Sequence, residues 1–64
     1  MRETELWRRL NRHFGNNYAR HWADTVVLSD LGSRTVADAL ADGVACKDIW
    51  RAVWAFEGLP ESER

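Results

Sequence analysis

Cysteine, long apolar runs and strand patterns are all scarce in this sequence, and each absence excludes a class of protein. The single Cys46 among 64 residues excludes an internal disulfide, and we expect it to be a small packing residue. No apolar run approaches the roughly 20 residues that span a bilayer. The charged start, residues 1–5, lacks the apolar segment of a secretory signal. We therefore predict a cytoplasmic protein without membrane association.

Proline, glycine and net charge are limited as well. The one proline and four glycines fall between helical stretches, and no β-branched run alternates with polar residues. Nine Lys and Arg against ten Asp and Glu give a net charge of −1, without the basic excess that is usual in nucleic-acid-binding domains. The sequence therefore predicts an all-α fold in a single domain.

Aromatic residues, by contrast, are plentiful, with four Trp, two Phe and one Tyr. A chain of this size buries only about 60% of the surface that it exposes when unfolded. Large rings compensate because each buries more apolar area than an aliphatic side chain. Most of these rings are therefore needed to build one shared core.

Four amphipathic segments, in which apolar residues recur at three- and four-residue steps, cover most of the chain. They predict a compact bundle of four short helices over about 5–14, 17–28, 36–42 and 46–57. We expect the first two helices to form an antiparallel pair and the last two a tighter pair that resembles a helix-turn-helix. The predicted domain spans residues 1–58, and residues 59–64 form a flexible C-terminal tail.

Capping residues locate the predicted helix ends. Thr4 is the predicted N-cap of the first helix, and Asn16 or Asn17 that of the second. Thr35 begins a variant of the capping box and predicts the start of the third helix. Val27 points away from the apolar stripe of the second helix. Either that helix is covered on two sides, or it breaks into a tight turn.

The residues Ala39, Gly43 and Ile49 have the spacing of a helix-turn-helix. That motif needs a small residue where the helices cross, a glycine in the turn and a branched apolar anchor in the second helix. On this interpretation Lys47 and Arg51 would face DNA. Any tight pair of helices joined by glycine has the same spacing, however. The pattern therefore predicts the helix pair and does not by itself indicate that it binds DNA.

A basic ridge on the first helix consists of Arg8, Arg9 and Arg12. Together with Lys47 and Arg51 it supports an alternative hypothesis, a nucleic-acid-binding accessory protein in which the ridge contacts phosphates. The competing explanation is a solvated helix face whose cations offset the helix dipole.

Trp50 and Trp54 lie one turn apart, beside an apolar stripe that includes Phe56. The core needs one of these indoles, and the sequence leaves open which of the two is exposed. An exposed indole next to Arg51 would anchor another protein, because Trp and Arg dominate interface hot spots. We therefore predict that Trp50, Arg51 and Trp54 bind a protein partner, and a second copy of the chain is one option.

Residues suited to catalysis or metal binding are few and scattered. The soft metal ligands are His13, His21 and Cys46, and the two histidines are too far apart in sequence to share one helical turn. The serines have no evident base beside them, and no glycine-rich phosphate loop is present. We predict a non-enzymatic protein without catalytic residues, metal, cofactor or small-molecule substrate.

Several short motifs in fixed order resemble those of an uncharacterised family of small actinobacterial proteins, domain of unknown function 3046. Two positions depart from the family pattern, because Cys46 replaces a favoured proline and Trp54 a small residue. The resemblance implies a helical fold and a frequent genomic setting beside recombination genes, with no assigned activity. The motifs are Thr4-Glu5-Leu6-Trp7, Phe14-Gly15, Tyr18-Ala19, Leu31-Gly32, Arg34-Thr35-Val36, Ala39-Leu40 with Gly43, and Ile49-Trp50-Arg51-Ala52-Val53.

Overall fold

A computed structural model describes all of residues 1–64 and contains four α-helices and no β-sheet. This confirms the predicted all-α bundle of four helices. Two 3-10 turns and one isolated antiparallel bridge, between Leu28 and Arg34, complete the regular structure. The helices are α1 (Glu3–Phe14), α2 (Ala19–Thr25), α3 (Val36–Ala41) and α4 (Cys46–Glu57), and the 3-10 turns are Ser29–Leu31 and Glu61–Glu63.

The first helix begins two residues earlier than predicted. Arg2 is the N-cap residue, and its carbonyl accepts from the N–H of Leu6 at 3.1 Å. The predicted cap at Thr4 is wrong, because Thr4 lies inside the first turn. Glu3 and Glu5 place negative charge at the positive end of the helix dipole, which favours the earlier start.

The second helix is shorter than predicted at both ends. Its N-cap is Tyr18, so neither asparagine before it caps the helix. At the other end Val26 adopts an extended conformation, with φ −84° and ψ 120°. Successive β-branched residues lose side-chain freedom in a helix and favour extended backbone. The chain therefore breaks after Thr25, which resolves the two alternatives for Val27, and Val27 is exposed.

The pair formed by α3 and α4 agrees closely with the prediction. The hydroxyl of Thr35 accepts from the N–H of Asp38 at 3.0 Å, which confirms the predicted cap. Gly43 has a φ of 81°, in the left-handed region that favours glycine. The N–H of Val44 donates to the carbonyl of Ala39 at 3.0 Å and closes the turn. Helix α3 ends at Ala41, one residue before the predicted end.

All four helices and the first 3-10 turn contribute to one apolar core. Leu6 and Leu10 of α1 are fully buried, and so are Ile49 and Val53 of α4. Every buried polar side-chain atom has a hydrogen-bond partner, as a well-packed small domain requires. Thirteen residues form this core: Leu6, Leu10, Ala19, Trp22, Ala23, Leu28, Leu31, Val36, Ala39, Ile49, Trp50, Ala52 and Val53.

The segment after α4 folds back along that helix. Gly58 ends α4 in the left-handed conformation, with φ 65° and ψ 38°, and the N–H of Leu59 donates to the carbonyl of Trp54 at 3.1 Å. The side chain of Leu59 packs against the core, and residues 61–63 form a 3-10 turn. The predicted flexibility of residues 59–64 stays a prediction. None of the helices combines the length and the apolar composition that a membrane crossing requires.

Candidate interaction surface

The structure places Trp50 in the core. Its side chain is only 2% exposed, and its indole Nε1 donates to the carbonyl oxygen of Glu63 at 2.9 Å. The guanidinium of Arg9 lies over the ring, 5.5 Å from its centroid. Trp50 is therefore the indole that completes the core, and of the three residues predicted to bind a partner only Arg51 and Trp54 are accessible.

Those two residues, Arg51 and Trp54, remain accessible. Trp54 is half-buried, and its Nε1 donates to the carbonyl oxygen of Pro60 at 2.9 Å. One side of its ring carries the guanidinium of Arg64, at 5.7 Å. Arg51 is exposed, and the ion pairs of the structure do not include it. Arg51 can therefore bind a carboxylate without first losing a partner.

Arg51 and Trp54 line an open groove of about 660 Å³ between α4 and the 3-10 turn Ser29–Leu31. Small residues of α4, Ala52 and Ala55, form part of its lining. The side chain of Ala52 is buried and that of Ala55 is exposed. The complete lining is Asp30, Leu31, Arg34, Val44, Asp48, Arg51, Ala52, Trp54 and Ala55.

A smaller hollow of about 130 Å³ continues this groove, because both contain Asp30, Ala52 and Ala55. Phe56 borders the hollow and is 56% exposed. The spacing of apolar residues predicts that Phe56 belongs to the apolar stripe of the last helix, and burial at this position is wrong. Its ring makes an edge contact with Trp22 of the core, at a centroid distance of 6.2 Å.

Charges of both signs surround the groove. Arg34 is already paired with Asp42, at 3.1 Å, so its charge is neutralised within the chain. Asp30 and Asp48 take part in none of the ion pairs. The groove therefore offers an apolar surface together with one unpaired cation and two unpaired carboxylates.

The basic ridge of α1 is engaged in ion pairs within the chain. Glu5 binds both Arg8, at 3.1 Å, and Arg9, at 3.0 Å. The hydrogen bond from Arg9 is the main cause that lowers the pKa of Glu5 below its ordinary value, and the charge of Arg8 adds to it. Arg12 pairs with Glu63 at 3.4 Å. The ridge thus carries much less unbalanced positive charge than its sequence indicates.

The remaining candidate residues lie apart from one another. Lys47 is exposed in the first turn of α4, far along the chain from the ridge on α1. His13 pairs with Glu57 at 3.3 Å, and Cys46 is a free, half-buried thiol. No group of three or more His, Cys, Asp or Glu side chains is arranged to hold a metal ion.

Sequence reasoning identified two residues of the groove, Arg51 and Trp54, and missed the rest of its lining. Leu31, Asp30 and Ala55 reach it from elements whose relative placement depends on tertiary packing. The available signal was the pair of alanines at i and i+3 beside Trp54, because small residues next to a large ring leave a depression in the helix surface.

One comparison with known proteins gave a match. A family described as Protein of unknown function (DUF3046) matches residues 1–62, as the resemblance of the sequence motifs indicated. No curated protein and no solved structure matches the chain.

Proposed function

We propose that this chain, which belongs to the family Protein of unknown function (DUF3046), is a non-enzymatic protein-interaction module. The proposed contact surface is the groove along α4, with Arg51 and Trp54 as its principal residues. The observation that carries the proposal is their common position on one open groove of about 660 Å³.

Composition supports a protein as the partner. Trp and Arg are the residues most enriched at interface hot spots. The small side chains of Ala52 and Ala55 leave space for an apolar side chain of the partner, which Trp54 and Leu31 would flank. A carboxylate beside that apolar side chain would pair with Arg51. Asp30 and Asp48, which take part in none of the ion pairs, would receive a basic side chain. We therefore propose a partner segment in which one large apolar residue has both an acidic and a basic neighbour.

Nucleic acid receives less support as a ligand. Binding to a phosphate backbone depends on several cations that are free to replace counterions. Arg8, Arg9 and Arg12 each have a carboxylate partner within the chain. Lys47 and Arg51 flank Asp48 on α4. A filter-binding titration in rising salt tests this hypothesis, and we expect a slope near zero.

Two matched substitutions test the proposed groove. Ala55→Arg fills it, whereas Ala41→Arg places the same side chain on α3. Both alanines are exposed and lie near the end of a helix, so the added cation suits the helix dipole in each. Ala55 is preferable to Trp54 as a target, because Trp54 also holds Pro60.

The measurement is a quantitative pull-down from a native lysate with the wild type and both variants. We expect Ala41→Arg to retain the proteins bound by the wild type and Ala55→Arg to lose them. Equal retrieval by all three would contradict the groove as the contact surface. Light scattering adds a second reading: a dimer that dissociates only in Ala55→Arg would identify the partner as a second copy of the chain.

A further inference from the structure

The segment after α4 rests on a surface built from two helices. The indoles of Trp50 and Trp54 donate to the carbonyl oxygens of Glu63 and Pro60, each at 2.9 Å. From α1, Arg9 donates to the carbonyl oxygen of Arg64 at 3.0 Å. Arg12, also on α1, pairs with the carboxylate of Glu63 at 3.4 Å. We call these four residues, Arg9, Arg12, Trp50 and Trp54, the tail seat.

The two indole contacts follow from the dimensions of the helices. Trp50 and Trp54 are four residues apart on α4, which at 1.5 Å per residue is about 6 Å along the axis. Pro60 and Glu63 are three residues apart around a 3-10 turn, which at 2.0 Å per residue is also about 6 Å. The tail seat therefore matches the backbone of any 3-10 turn that runs antiparallel to α4.

Arg12 adds a preference for an acidic side chain to the tail seat, whereas Arg9 donates to a backbone carbonyl. Arg9 is held in place by Glu5 at 3.0 Å, and its side chain is only 24% exposed. Arg12 is 61% exposed and reaches the carboxylate of Glu63. A 3-10 turn with a glutamate at its third position therefore satisfies both the backbone donors and the charge.

The present occupant of the tail seat is largely exposed to solvent. Pro60, Glu61, Ser62 and Arg64 are all exposed, and Glu63 is half-buried. The pair between Arg12 and Glu63 is exposed at both ends, where ion pairs are weak. Segments with few buried contacts open locally while the core stays folded. Local opening of residues 60–64 would expose the tail seat while the core that holds Trp50 stays folded.

From this geometry we propose that the tail seat recognises an acidic peptide segment of another protein. The chain's own residues 60–64 occupy the site in cis and compete with that segment. The partner's segment carries a proline followed three residues later by a glutamate, in a 3-10 turn. This site shares only Trp54 with the α4 groove, because the ring lines the groove while its Nε1 donates to Pro60. Arg9, Arg12 and Trp50 do not line that groove, so different substitutions test the two proposals.

The test uses the full chain and a fluorescent peptide of sequence Leu-Pro-Glu-Ser-Glu-Arg, with anisotropy as the readout. Glu63→Arg replaces the attraction to Arg12 by repulsion and leaves the seat residues unchanged, so the open fraction of the chain should rise. Because the apparent affinity is proportional to the open fraction of the chain, we expect this variant to bind the peptide up to about tenfold more tightly than the wild type. A peptide with both glutamates replaced by glutamine should lose this affinity.

A second experiment reverses the charge at Arg12 and at the residue of the peptide that pairs with it. We expect Arg12→Glu to prefer a peptide whose second glutamate is replaced by arginine, whereas the wild type prefers the original peptide. The ratio of the two affinities on one protein is independent of how far its own tail has opened. The control Lys47→Glu makes the same change of charge at an exposed position of α4, and it should keep the preference of the wild type.

Three results would overturn the proposal. The first is equal affinity of the peptide for Glu63→Arg and the wild type, and the second is an unchanged preference in Arg12→Glu. The third is a dimer formed by exchange of residues 59–64, detected by light scattering, because the occupant would then be a second copy. Ala55→Arg should leave peptide binding intact, which separates this test from that of the groove.

Discussion

The two sides of α4 differ in whether their polar and apolar side chains have partners within the chain. On the side of Trp50, each polar group has an internal partner: the indole binds Glu63, and Arg12 pairs with that residue's carboxylate. On the groove side Arg51 has no ion-pair partner, and Phe56 is 56% exposed. The groove side is therefore the one with unused binding capacity, although both sides carry a tryptophan.

The largest expected effect separates the two tryptophans. Trp50→Ala should cost about 3 to 5 kcal/mol of unfolding free energy, since it removes a fully buried ring. Trp54→Ala should cost about 2 kcal/mol, because that ring is only half-buried. Urea denaturation followed by circular dichroism measures both. Equal costs would mean that the two sides of α4 are packed alike, which would break the comparison.

Removal of the α3 cap gives an intermediate effect that is independent of both sides of α4. Thr35→Ala deletes the hydroxyl that accepts from the N–H of Asp38, and we expect a loss of about 1 kcal/mol. Thr35→Ser keeps the acceptor and should retain most of the stability. A loss as large in Thr35→Ser as in Thr35→Ala would assign the effect to the buried methyl group instead.

A smaller effect, dependent on pH, tests the paired charges of α1. The pKa of Glu5 is lowered in the folded chain by its hydrogen bond with Arg9. The stability that this pair contributes is therefore fully present above the ordinary carboxyl value of 4.5 and disappears as pH falls through the lowered value. Urea denaturation at pH 7 and at a series of values below 4.5 should show the wild type and Glu5→Gln converging. A constant difference would mean that the ionised pair does not contribute.

The smallest expected effect belongs to the open groove. Ala55→Arg should change the unfolding free energy by no more than about 0.5 kcal/mol, as is usual for an exposed position. Ala41→Arg is the matched control. A destabilisation confined to Ala55→Arg, measured by thermal melting, would show that the groove contributes to folding and has less capacity for a partner.

The fold was predictable where the local sequence specifies both ends of an element. Thr35, Gly43 and Gly58 provide a cap and two left-handed turns, so α3 and α4 were located to within one residue. The end of α2 was not predictable in the same way. The β-branched run of residues 25–27 favours a break, but the position of the break also depends on the bridge between Leu28 and Arg34, a contact that helical periodicity does not encode.

The candidate site was predictable only in part. The sequence placed Trp50 and Trp54 one turn apart, but periodicity could not decide which indole is covered. That choice depends on the return of the chain after Gly58, which brings Glu63 onto Trp50. Phe56 was misassigned because it continues the apolar spacing of α4 into the last turn, where only Trp22 meets it through a ring contact.

The left-handed turn at Gly58 also decides where an appended polypeptide would lie. The chain reverses there, so the carbonyl of Arg64 reaches Arg9 and its guanidinium reaches Trp54. An affinity tag fused after residue 64 would start in the cleft between α1 and α4 and crowd both indoles. A tag joined ahead of Met1, which is 45% exposed, avoids that cleft.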